Sequence, residues 1–144
     1  MTKQISEQKQ YHELSYYTLA HKNQSFIHQH IVDAYTAQTA DEQTKPIAIT
    51  FSLIGLYLYL KKNFTGKQIQ LAHMQMAKKK HIWPKFVLPK VKGDITVSNV
   101  MAESQGQMRD EMIGKWCQSV WEAYSKNHKQ VALLWQYFDE KVIK

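Results

Sequence analysis

The stretch IAITFSLIGLYLYL, Ile47 to Leu60, is the most apolar run of the chain, interrupted only by Thr50, Ser52 and Gly55. It ends after fourteen residues at Lys61-Lys62, whereas a membrane-spanning helix needs about 20 apolar residues. Apolar on nearly every side, it reads as the central, buried helix of a water-soluble bundle. A strand is the competing reading, because Ile47, Ile49, Phe51 and Leu53 alternate with smaller or polar residues. Gly55 weakens a helix by about 1 kcal/mol relative to alanine but lets another backbone approach closely. Just upstream, Thr44 followed two positions later by Pro46 reads as a cap and an early-turn proline.

Helical periodicity continues on both sides. HELSYYTLA, His12 to Ala20, predicts a short helix with Leu14, Tyr17 and Thr18 on one side. Ser25 to Gln38 places Ile27, Ile31, Ala34, Tyr35 and Gln38 at spacings of three and four, with Asn23 or Ser25 as its cap. After the central run, Thr65-Gly66 opens a helix over Lys67 to Lys80, with Ile69, Ala72, His73 and Met76 on one face. His81 to Asp94, HIWPKFVLPKVKGD, carries two prolines and a glycine and is a long loop. A short helical turn follows from Thr96 or Ser98 to Ala102. A longer helix then runs from Ser104 to about Ser125 with a stripe of Met108, Met112, Ile113, Trp116, Val120, Trp121 and Tyr124. Asn127 or His128 breaks it, and a last helix places Val131, Leu134, Trp135, Phe138 and Val142 at core spacing. The expected architecture is one all-α domain over residues 1–144, a bundle of five or six helices with one long Pro-containing loop, residues 1–10 being a flexible extension.

The 144 residues are 44% apolar and 22% charged, enough for one compact core. A single cysteine, Cys117, excludes an internal disulfide and a multi-thiolate zinc site. The polar Met1–Gln10 segment has no signal-peptide stretch, which with the free thiol points to the cytoplasm. The net charge of +7 is uneven: residues 1–60 sum to −1, residues 61–92 to +9 with no acid, and residues 93–144 to −1.

The ordered series His28-x-x-x-Val32-Asp33-Ala34-Tyr35-x-x-Gln38, Trp83-Pro84, Gly93-Asp94-Ile95-Thr96-Val97, Trp116-x-x-Ser119-Val120-Trp121 and His128 resembles the bacterial domain-of-unknown-function family numbered 5946. The likeness spans residues 12 to 135. Members of that family often carry an N-terminal cysteine pair and a His-Pro after the glutamine; here Thr39-Ala40 stands at the second place. The resemblance implies a shared fold and a candidate surface, not a reaction. In broad architecture the expected bundle also resembles the DinB-like metal-dependent bundles, an analogy of fold alone.

The densest polar set on a buried helix is His28 to Gln38. His28, Ile31 and Tyr35 share one face of a 3.6-residue helix, and His30 and Asp33 lie close together on another. A pocket near His28, Asp33, Tyr35, Gln38 and His128, joined by His73, could take a small molecule or a divalent metal held by facing helices. In the alternative, these groups are satisfied by neighbouring backbone and indole donors. The spacing lacks the His-Glu-x-x-His signature. Cys117, mid-helix beside Trp116, reads as a small core residue.

Two further classes stand beside the pocket. The basic stretch Lys61, Lys62, Lys78, Lys79, Lys80, Lys85, Lys90 and Lys92, interleaved with Phe64, Trp83 and Phe86, could meet nucleic acid or another acidic partner. With Arg109 as the only arginine, base-edge readout is not favoured, and a solvated lysine face is the simpler account. The third is a structural homo-oligomer subunit, such as one half of a homodimer, in which exposed aromatics of the last two helices bury against a second copy.

Overall fold

A computed structural model describes residues 2–20, 26–79 and 82–139. Among them the chain forms seven α-helices and no strand: α1 Thr2–Ala20, α2 Ile27–Thr39, α3 Pro46–Lys62, α4 Gly66–Ala77, α5 Val97–Ala102, α6 Gln107–Ala123 and α7 His128–Phe138, with a 3-10 turn at Ser125–Asn127 before the last. The all-α domain is as the periodicity predicts, with the short α5 bringing the helices to seven.

The apolar run is helical, not extended. Pro46 stands at the first helical position with Lys45 as the N-cap, and Lys61 and Lys62 occupy the last turn, where cations suit the helix dipole. Asn63 ends α3 in the left-handed region at φ 57°, its N–H and that of Phe64 both returning to the Leu58 carbonyl. Leu53, Ile54, Leu56 and Leu58 are fully buried, each stabilising by about 1.5–3 kcal/mol. The two buried hydroxyls stay within the helix: Thr50 donates to the Pro46 carbonyl at 2.7 Å and Ser52 to the Ile49 carbonyl at 2.8 Å. Around α3 stand α2, α4, α6 and α7.

Several local expectations change. Thr44 does not cap α3; it closes a turn with Asp41, accepting from the Asp41 N–H at 3.0 Å. Thr65 and Gln68 form a reciprocal capping box on α4, and Thr96 and Asn99 form one on α5. Residues 2–10, expected as an extension, belong to α1. Their polarity hides the helix from periodicity, although Gln10 accepts a 2.6 Å bond from Ser98. The N-terminal capping position of α2 is Phe26, at φ 48°. Asn23 and Ser25, the residues expected there, lie outside the described residues, as does Val142. α6 starts at Gln107, leaving Met108 exposed at its first turn.

The long loop is held by side chains of α2, α6 and the 3-10 turn. Asn127 accepts from the Val87 N–H at 3.0 Å and donates to the Val87 carbonyl at 2.7 Å. Gln38 donates to the Lys92 and Ile95 carbonyls at 3.1 and 2.7 Å. Ser119 accepts from Asp94 N–H at 2.9 Å. Gly93, at φ 102°, brings the backbone against Ser119, where a Cβ would come within 2.7 Å of its hydroxyl.

Candidate functional site

α2 is buried on more than one face, because α1, α3, α4 and α6 all pack against it. Its buried residues are His30, Ile31, Asp33, Ala34 and Ala37. The polar pair His30 and Asp33, one turn apart, therefore points into the protein.

The Asp33 carboxyl lies in the space that a Cβ on Gly55 of α3 would occupy. Gly55 thus admits a side chain, where the sequence suggested a backbone. Asp33 Oδ1 accepts from Gln29 at 3.1 Å, while Oδ2 has no hydrogen-bond partner among the described residues. Burial pushes this carboxyl well above its ordinary pKa, against the lowering effect of the Gln29 bond. The His30 ring stacks on Tyr59 of α3, centroids 3.7 Å apart and planes 18° from parallel. Its Nδ1 has no partner among the described residues, and burial lowers its pKa to about 4. Cys117 of α6 completes the seam, its thiol 3.6 Å from the His30 carbonyl. Burial pushes that thiol far up, with the Asp33 charge adding to the effect.

Tyr59 links this seam to the surface. Its hydroxyl approaches Gly114 of α6, where a Cβ would sit 3.2 Å away. Tyr59 also lines a shallow groove of about 810 Å³ with Gln107, Asp110, Glu111, Gly114, Lys115 and Gln118. Behind the open face of the groove is a tyrosine, and behind the tyrosine a neutral imidazole.

The six candidate residues go to separate places. His28 and Tyr35 face α1: His28 Nδ1 is 3.0 Å from Thr18 Oγ1, and Tyr35 stacks on Tyr11 at 3.9 Å and 4°. Burial lowers the His28 pKa and raises that of Tyr35. Gln38 serves the loop and accepts from the Trp116 indole at 2.8 Å. His73 on α4 stacks on Phe51 at 5.0 Å; burial lowers its pKa to about 4, and its bond to the Phe51 backbone works the other way. His128 stacks on Trp121 at 3.8 Å and 6°, with Nε2 2.7 Å from the Trp121 carbonyl, so that Nε2 carries the hydrogen. Asp33 alone of the six lies in the His30–Tyr59 seam. Among the described residues no three His, Cys, Asp or Glu side chains form a group that could hold a metal ion.

Periodicity places His30 beside Asp33 on a buried helix but does not single His30 out as a site residue, because it does not show which neighbouring helix its ring meets. Tyr59 was hidden inside the apolar run. The aromatics interleaved with the lysines also turn inward. Phe64 meets Trp135 edge-on at 5.9 Å, Trp83 stacks on Phe138 at 5.6 Å, and Phe86 is buried. Lys61, Lys62, Lys78, Lys79, Lys85 and Lys90 are exposed and Lys92 is partly buried, while Lys80 lies outside the described residues. Trp116, Trp121, Tyr124 and Trp135 are all core, so these aromatics of α6 and α7 are not available to a second copy. No helix among the described residues is long and apolar enough to cross a membrane.

No curated protein and no solved structure matches the chain. A family model described as "Family of unknown function (DUF5946)" matches residues 8–125, from α1 through α6 and including the loop clamped by Gln38 and Ser119, and the chain belongs to that family.

Proposed function

We propose that the protein is a cytoplasmic binding module that takes a small polar molecule into the groove between α3 and α6. One observation carries this: Tyr59 both lines the groove and stacks on buried His30, beside which Asp33 holds a second polar atom with no partner among the described residues. Buried polar atoms without partners are uncommon in folded proteins and cluster where function needs them. Mixed lining by Asp110, Glu111, Lys115 and two glutamines suits a ligand with both donors and acceptors. His28, Tyr35 and Gln38 would fix α2, keeping Asp33 and His30 behind the tyrosine. His73 and His128 would act only in packing. Among the described residues a divalent metal has no converging ligand set to support it.

A thermal-shift screen of a broad panel of polar metabolites tests this. A ligand at about 100 times its Kd adds about 2.7 kcal/mol, on the order of 5–10 °C for a chain of this size. Compounds that stabilise the native chain should lose their effect in Tyr59→Ala and Lys115→Glu and keep it in His73→Gln. Equal shifts in all variants, or no stabilising compound, would overturn the proposal.

A further inference from the structure

We propose that the outer face of α4 and the loop that follows it dock on an anionic lipid bilayer. α4 buries Ile69, Ala72 and Met76. Its opposite stripe is Lys67, Leu71, Met74 and Lys78, spaced four, three and four residues apart and hence within a narrow arc of the helix. Leu71 is 58% exposed and Met74 54%, a leucine and a methionine bracketed by lysines. In the loop Ile82, Val87 and Val91 are 93%, 62% and 69% exposed, with Lys85 and Lys90 exposed between them. From residue 61 to 92 there are nine lysines and no acid.

Aliphatic side chains centred between lysines suit a bilayer interface. The apolar groups enter the acyl boundary while the ammonium heads reach back to lipid phosphates along their own methylene stems. Charge complementarity selects an anionic leaflet, to which each basic residue adds attraction. Nucleic acid fits less well: Phe64, Trp83 and Phe86, the rings that would stack on bases, are packed against the bundle, and the groups left outside are aliphatic. A symmetric dimer through this face would set one copy's lysines against the other's. With twelve residues α4 would lie in the interface and not cross it.

Co-sedimentation of the full chain with phosphatidylserine–phosphatidylcholine vesicles, with phosphatidylcholine vesicles, and in parallel binding to single- and double-stranded DNA, tests the proposal. Binding is expected to the anionic vesicles only, to weaken with salt, and to fall about tenfold or more in Leu71→Glu/Met74→Glu. Both positions are exposed, and an unchanged far-UV circular dichroism spectrum checks that the variant is folded. Lys67→Glu/Lys78→Glu is expected to weaken binding as well. Absence of binding to anionic vesicles, binding unmoved by the Leu71/Met74 variant, or preference for DNA over vesicles would each overturn it.

Discussion

The carboxyl of Asp33 on α2 occupies the place where any larger residue at position 55 of α3 would put its Cβ. Gly55→Ala should gain up to about 1 kcal/mol of helix propensity and lose more through overpacking, for a net destabilisation of about 1–3 kcal/mol. In an Asp33→Ala background the same substitution should become neutral or stabilising. Urea unfolding of the four proteins gives the coupling directly. Additive effects would show that the two residues do not share this space.

Stability should depend on pH through His30 and Asp33, with opposite signs. His30 titrates near 4 in the folded chain and near 6.5 unfolded, so its neutral form contributes stability that is present above pH 6.5 and lost as pH falls through the folded value. At pH 4 that loss approaches about 3 kcal/mol. His73 acts in the same direction. Asp33 is raised from 3.8, so its contribution is present in acid and lost as pH rises above that value toward its folded pKa. Accordingly His30→Gln should flatten the acid side of the stability profile, and Asp33→Asn should gain on the native chain as pH rises above 3.8. Thermal denaturation across that range reads both slopes; parallel curves for native and variant chains would contradict the assignment.

Gln38 satisfies three groups, the Lys92 and Ile95 carbonyls and the Trp116 indole N–H. Gln38→Ala should cost about 2–4 kcal/mol, since it leaves buried polar atoms without partners. Gln38→Glu keeps an acceptor for Trp116 but removes both donors to the loop. In both variants the amides of Asp94 and Ile95, now bonded to Ser119, should exchange hydrogen faster than those of α3. Unchanged exchange at these two amides would show that the clamp does not hold the loop.

This clamp also shows how far the sequence could be read. Gln38, Gly93-Asp94, Trp116 and Ser119 stand in the series that carries the family resemblance, and the structure joins them by hydrogen bonds around one loop. Their spacing along the chain gave no sign of this, because contacts between residues 38, 92 and 116 depend on tertiary packing. The helix of Ile47–Leu60 was legible because its length and uniform apolarity leave few other ways to hide it. His30 was not, since its ring is covered by Tyr59 of α3 and its backbone by Cys117 of α6, partners 29 and 87 residues away in sequence. The polar first half of α1 was illegible for the opposite reason: it carries almost no apolar stripe, and helix propensity alone is a weak guide.

Cys117 offers a last check on the seam. It is fully buried, its thiol raised well beyond the ordinary range and directed at the His30 carbonyl. A thiol reagent acts on the thiolate, so the native chain should react with a disulfide reagent only through opening, orders of magnitude more slowly than the unfolded chain. Cys117→Ser should be destabilised by about 1–3 kcal/mol, the cost of burying a more polar group. His30→Gln, which removes the ring stacked on Tyr59 while leaving the backbone carbonyl, should speed labelling of Cys117 by loosening the packing between α2, α3 and α6. Labelling that is rapid in the native chain would place the thiol outside the core and separate it from His30.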